Sequence, residues 1–147
     1  MNMRIASALL VAMLSATFSV FAVEPIAVIT TVSNSLDTLS RDALNLIYLR
    51  KRQMDSEGNH WIPLNLPVTD SLRRSFSLSL FAILPEEHED YWNVQYFNGI
   101  SPPKVMASEE AVVRFVASTP GAIGYVRKQK VDDRVKVLLL IEFQIPK

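Results

Sequence analysis

The chain has 147 residues, 15 Lys and Arg against 15 Asp and Glu, and no cysteine. That balance lacks the basic excess with which a nucleic-acid binder neutralises phosphates, so nucleic acid is excluded as a partner. Without cysteine, packing alone must hold the fold, and thiolate metal sites are ruled out.

The first element is a leader. Met1-Asn2-Met3-Arg4 makes a short basic start, residues 5–21 are almost wholly apolar or small, and Val20-Phe21-Ala22 supplies small residues at the −3 and −1 positions of a cleavage site. Residues 1–22 therefore read as a secretory signal peptide. The competing reading is a retained anchor, because the apolar run approaches the roughly 17 residues that a spanning helix needs. No cysteine follows the run, which excludes a lipid anchor, and no second apolar stretch has spanning length. The expected product is soluble in an exported, periplasmic space. Loss of Arg4 leaves its net charge near −1. Residues 23–147 suffice for one domain with its own core but not for two sizeable lobes.

Residues 26–32 form a β-branched run without polar alternation, predicting a strand buried on both faces. Ser40 is placed to N-cap a helix whose Leu44, Ile47 and Tyr48 share one face, with Arg50-Lys51-Arg52 at its negative pole. Residues 55–59 read as a turn. Residues 61–66 resume as a strand, which the prolines assign to an edge or make irregular.

Asp70 or Ser71 can cap a second helix carrying Leu72, Phe76, Leu80 and Ile83 on one side, closed by Pro85. Glu86-Glu87-His88-Glu89-Asp90 loads acid at the start of a third helix. Its Tyr91, Trp92, Tyr96 and Phe97 are expected in the core, and Gly99 and Pro102-Pro103 end it. A fourth helix runs from Ser108 through Ala111, Val112, Phe115 and Val116, stopping before Pro120. Residues 123–126 and 135–143 read as a final strand pair separated by a charged segment. Strands alternating with helices define a single α/β domain.

Conventional signals of catalysis are thin in the sequence. His60 and His88 show neither HxH nor HExxH spacing and read as surface loop histidines, so no metal is expected. No Gly-x-Ser-x-Gly, Gly-x-Gly-x-x-Gly or P-loop pattern occurs, so neither a catalytic serine nor a nucleotide cofactor is indicated. A hydrolase of phosphate esters would need a nucleophile–base pair or a metal set, and neither is visible. One place suits an anion for a physical reason. Thr69-Asp70-Ser71 precede Leu72-Arg73-Arg74 at a helix start, where unpaired N–H groups, hydroxyls and a guanidinium gather. The competing reading there is an ordinary helix cap flanked by surface arginines.

The stretch Pro120-Gly121-Ala122-Ile123-Gly124-Tyr125-Val126 joins a helix exit, a tight turn and a buried strand, and it holds two of the four glycines. Upstream, in order, come Leu39-Ser40-Arg41-Asp42-Ala43-Leu44-Asn45-Leu46-Ile47-Tyr48, then Gly58, Ile62-Pro63-Leu64-Asn65, Arg73-Arg74-Ser75-Phe76, and Trp92 to Phe97-Asn98-Gly99. In these motifs, from about residue 28 to 126, the chain resembles the PstS-like phosphate-binding, substrate-binding proteins of ABC transporters. These belong to the type II periplasmic binding protein superfamily.

The resemblance implies a single lobe of that fold, a mixed sheet flanked by helices, and a binding protein for phosphate or a similar oxyanion rather than an enzyme. It implies ligand contacts at Thr69, Asp70, Ser71 and Arg73, joined by Ser108, Thr119 and Gly121, with no catalytic residue, metal or cofactor. The family motif Ser-Gly-Thr-Arg aligns with Asp70-Ser71-Leu72-Arg73, so Arg73 alone is unchanged. An ionised Asp70 only accepts hydrogen bonds; it repels a fully ionised phosphate but can accept from a monobasic one. A single lobe offers half a cleft, which a second chain or a transport protein would complete. The alternative function is an interaction module of the same fold that has lost its solute and docks an envelope protein or itself, which predicts an exposed aromatic or apolar patch.

Overall fold

The computed structural model describes residues 24–142, so the leader reading of residues 1–22 and the strand position of Phe143 lie outside the described residues. Five strands form one mixed sheet: β1 (Ile26–Thr31), β2 (Ile62–Asn65), β3 (Lys104–Val105), β4 (Ala122–Arg127) and β5 (Val135–Ile141), in the order β3-β2-β4-β1-β5. The described residues also form four α-helices: α1 (Arg41–Tyr48), α2 (Ser71–Phe81), α3 (Glu89–Phe97) and α4 (Glu109–Ser118). This is the expected α/β class, a mixed sheet flanked by helices. Among the described residues no helix is long and apolar enough to cross a membrane.

The helix starts follow local chemistry. Ser40 Oγ accepts from Ala43 N–H at 3.1 Å, Asp70 Oδ1 from Leu72 N–H at 2.8 Å, and Ser108 Oγ from Ala111 N–H at 3.1 Å. Each satisfies one orphan donor of its first turn, a contribution of about 1 kcal/mol. Leu44, Ile47 and Tyr48 of α1 and Val112, Val113 and Val116 of α4 are buried as their spacing requires.

Side-chain alternation along β4 fixes the layers. A methyl group on Gly124 would strike Val112 Cγ1 of α4, whereas the next residue, Tyr125, stacks on Phe76 of α2 with centroids 3.8 Å apart. Helix α4 therefore lies on one face, and α1 and α2 lie on the other. Tyr48 completes an aromatic cluster on the second face, 4.9 Å from Phe76. All six residues of β1 are buried between these layers.

Several expectations need correction. β4 and β5 are not a pair: β1 lies between them, antiparallel to both, with Ile26 opposite Arg127 on one side and Ile141 on the other. Strands antiparallel to the same neighbour are parallel to each other, so no hairpin can join them. Residues 128–134 instead return along the sheet. They are tied to the start of β1 by Lys128 N–H on Pro25 O (3.0 Å) and to α4 by Arg134 on Glu110 (2.9 Å). β2 is not an edge strand either. Its first half pairs with β4, Ile62 opposite Ala122, and its second half pairs with β3, Leu64 opposite Lys104. That split pairing is the irregularity the prolines foretold.

Helix α2 stops at Phe81 because Ala82 turns left-handed (φ 61°), so Ile83 lies beyond the helix and its carbonyl accepts from Ser77 Oγ at 2.7 Å. The third helix begins as a separate 3-10 turn, Pro85–His88, before α3. Only Tyr91 and Trp92 of its aromatics are half-buried. Tyr96 and Phe97 are 73% and 88% exposed, contrary to the expected core packing.

Candidate functional site

In open α/β sheets ligands gather beyond the carboxyl ends of parallel strands. Here that end belongs to β2 and β3. β2 runs through Leu66 into a turn closed by Asp70 N–H on Pro67 O (2.9 Å), and α2 starts at once. β3 is held beside it by Met106 N–H on Asn65 O (2.7 Å) and leads to Ser108 and α4. Thr69, Asp70, Ser71, Arg73 and Ser108 thus share one end of the sheet.

Thr119 and Gly121 sit elsewhere. Ala122 pairs with Ile62, the first residue of β2, so the α4–β4 turn lies at the opposite end of that strand. The roles of these two residues there are structural. Thr119 O accepts from Ala122 N–H at 3.1 Å to close the turn, and Gly121 O accepts from Ile62 N–H at 2.8 Å. Gly121 has φ 83°, and a Cβ on it would run into the His60 carbonyl.

At the carboxyl end of β2, Asp70 and Ser108 already cap their own helices. The Asp70 carboxylate occupies the position an anion would take at the α2 N-terminus. Thr69 and Ser71 are exposed. Arg73 behaves differently: it is half-buried and donates from Nη1 to Leu66 O at 2.9 Å. Burial lowers its pKa below the ordinary arginine value, which for this group leaves it charged.

The base under Arg73 is built by Tyr125. Its hydroxyl donates to Asn65 Oδ1 at 2.9 Å and accepts from Leu66 N–H at 3.3 Å. Tyr48 donates to Leu64 O at 2.8 Å. Burial, above all, raises the pKa of both tyrosines, so they remain neutral donors. Beside this base lies a cavity of about 30 Å³, lined by Asn65, Arg73, Phe76, Phe81, His88 and Trp92 among others.

His88 is therefore not a surface loop histidine. It is half-buried in the 3-10 turn, with Phe81 edge-on at 4.7 Å, and its pKa is lowered by burial and then by the Arg73 charge. Asn65, His88 and Trp92 carried no spacing signal that tied them to Arg73. The aromatic run around Trp92 was the nearest hint.

A sheet of this order, with two helix starts at the carboxyl ends of adjacent parallel strands, defines one lobe of a periplasmic-binding-protein-like fold. Three solved structures that it resembles are proteins of phosphate transport. An ABC-type phosphate transport receptor from Vibrio cholerae matches with TM-score 0.64 at 16% identity, covering 78% of this chain and 45% of that one. A phosphate ABC transporter substrate-binding protein from Clostridium perfringens, solved with bound phosphate, matches with TM-score 0.65 at 21% identity, covering 78% and 44%. PstS from Borrelia burgdorferi matches with TM-score 0.61 at 16% identity, covering 78% and 46%. The aligned region thus spans less than half the length of these neighbours. No family model and no curated relative matches the chain.

Proposed function

We propose that this chain is an exported binding protein for phosphate or a related oxyanion, acting in ABC-type transport or sensing rather than in catalysis. Export is supported by the basic start and apolar run within residues 1–22. The observation that carries the binding role is Arg73, a half-buried guanidinium at the carboxyl end of β2 in a fold shared with phosphate transport proteins. Ser71, Thr69 and Ser108 supply hydroxyls at the same end, and Asp70 favours an oxyanion that carries a proton. Thr119 and Gly121 drop out of the proposed contact set because of their position. The site is open at the end of the sheet, and a second chain or a transport protein closing over it would exclude water and tighten binding. Titration calorimetry of the full chain with millimolar phosphate should give a saturable heat, and Arg73→Ala should weaken it at least tenfold. Identical isotherms for the two proteins would defeat the proposal.

A second reading has its own support. Val94, Tyr96 and Phe97 of α3 are 59%, 73% and 88% exposed, an apolar surface of the kind that docks a partner. In that reading the lobe binds an envelope protein or a second copy. A strictly monomeric chain whose solution behaviour is unchanged by Tyr96→Ser with Phe97→Ser counts against it.

A further inference from the structure

Resting on the oxyanion reading above, we propose that the cavity between the end of β2, α2 and the 3-10 turn receives an oxygen of the anion, and that His88 joins Arg73 as a second, protonatable donor to it. The cavity holds about 30 Å³, room for one water-sized group and not for a larger organic ligand. Its polar lining combines donors with two hydroxyl oxygens. Tyr48 and Ser77 spend their hydroxyl protons on Leu64 O and Ile83 O. Asn65 Oδ1 is taken by Tyr125, which leaves Nδ2 to donate. Arg73 uses Nη1 on Leu66 O and retains Nε and Nη2. Among the described residues no hydrogen bond engages the Asn65 amide nitrogen, the Trp92 indole or the His88 imidazole, and no carboxylate lines the cavity.

A guanidinium and an imidazole lining one water-sized cavity that no carboxylate enters favour a ligand that accepts, and an anion oxygen is such a ligand. Its charge also offsets the guanidinium against which His88 must otherwise protonate. The groups facing the imidazole are Arg73 from α2, Glu87 from its own turn, Tyr91 from α3 and Tyr48 across the cavity from α1. Burial and Arg73 lower the His88 pKa from 6.5, and Glu87 opposes them. Anion binding should raise it, so binding takes up a proton and strengthens as pH falls.

Sulfate is the probe, because its charge does not change between pH 5.5 and 8, and it is offered to the Asp70→Asn chain, which lacks the carboxylate that repels a fully ionised anion. In nuclear magnetic resonance titrations of the full chain, saturating sulfate should raise the His88 pKa. Sulfate affinity should rise about tenfold from pH 8 to 5.5, the effect of one added charge-assisted hydrogen bond. His88→Gln should bind with a flat pH profile. If sulfate binds through Arg73 while the His88 titration is unmoved, the role of His88 falls and the oxyanion reading stands. If neither sulfate nor phosphate binds at any pH, both fall.

Discussion

The Tyr125 hydroxyl meets Asn65 Oδ1 at 2.9 Å, joining the middle of β4 to the last residue of β2. With the same oxygen it accepts from Leu66 N–H, and Leu66 O in turn holds Arg73. The aromatic residue of the Gly-Tyr-Val sequence thus supports the proposed binding arginine, two hydrogen bonds removed from it.

Tyr125→Phe keeps the stacking on Phe76 but leaves buried Leu66 N–H and half-buried Asn65 Oδ1 without this partner. An unfolding free energy lower by about 1–3 kcal/mol is expected from urea titration. Anion affinity should fall as well, because the position of Leu66 O is no longer fixed. A variant as stable as wild type would show that water replaces the hydroxyl.

Asp70→Asn keeps a good helix cap while removing the negative charge nearest the α2 N-terminus. Sulfate binding should tighten several-fold by calorimetry, with a melting temperature close to wild type. Asp70→Ala should instead cost about 1 kcal/mol of stability through loss of the cap. Unchanged sulfate affinity in Asp70→Asn would place the anion away from this helix start.

Gly121→Ala should be severely destabilising, because the new methyl meets the His60 carbonyl in a left-handed backbone. Gly99→Ala shares the positive φ (76°) but meets nothing within 4 Å, so only about 1 kcal/mol is at stake. Comparing the two melting temperatures separates packing from backbone preference.

His88 is less easily protonated in the folded chain than in the unfolded one. The unfolded state therefore binds more protons once pH drops toward 6.5, and stability should decline through that range and level off below the folded pKa. His88→Gln should flatten this part of the profile, as read by melting temperature between pH 5 and 8. Sulfate, on the binding scheme above, should offset the decline.

Much of the fold was legible because it is written locally. Ser40, Asp70 and Ser108 cap their helices through neighbours two or three residues away, and the largely β-branched run of β1 announces burial on both faces. Strand order is a non-local property: nothing in residues 123–126 or 135–141 says that residues 26–31 lie between them. β3 escaped notice because Lys104 and Val105 are exposed and too few to show a period. The site divided in the same way. Arg73 was visible as a helix-start arginine beside a matched motif, whereas Asn65, His88 and Trp92 meet it only through the tertiary packing of three elements. Tyr96 and Phe97 misled because an aromatic residue is ordinarily worth burying, and the sequence does not say which side of α3 is covered.

The place of β1 also bears on how the chain reaches its folded state. Both strands that flank it begin beyond residue 121, so a growing chain holds its first strand without sheet partners until nearly all of the described domain has been made. Such long-range pairing slows folding and keeps early segments open. On the proposal that the chain is exported, a sheet that closes only after its last described strand arrives would leave an extended polypeptide available to be threaded through a membrane.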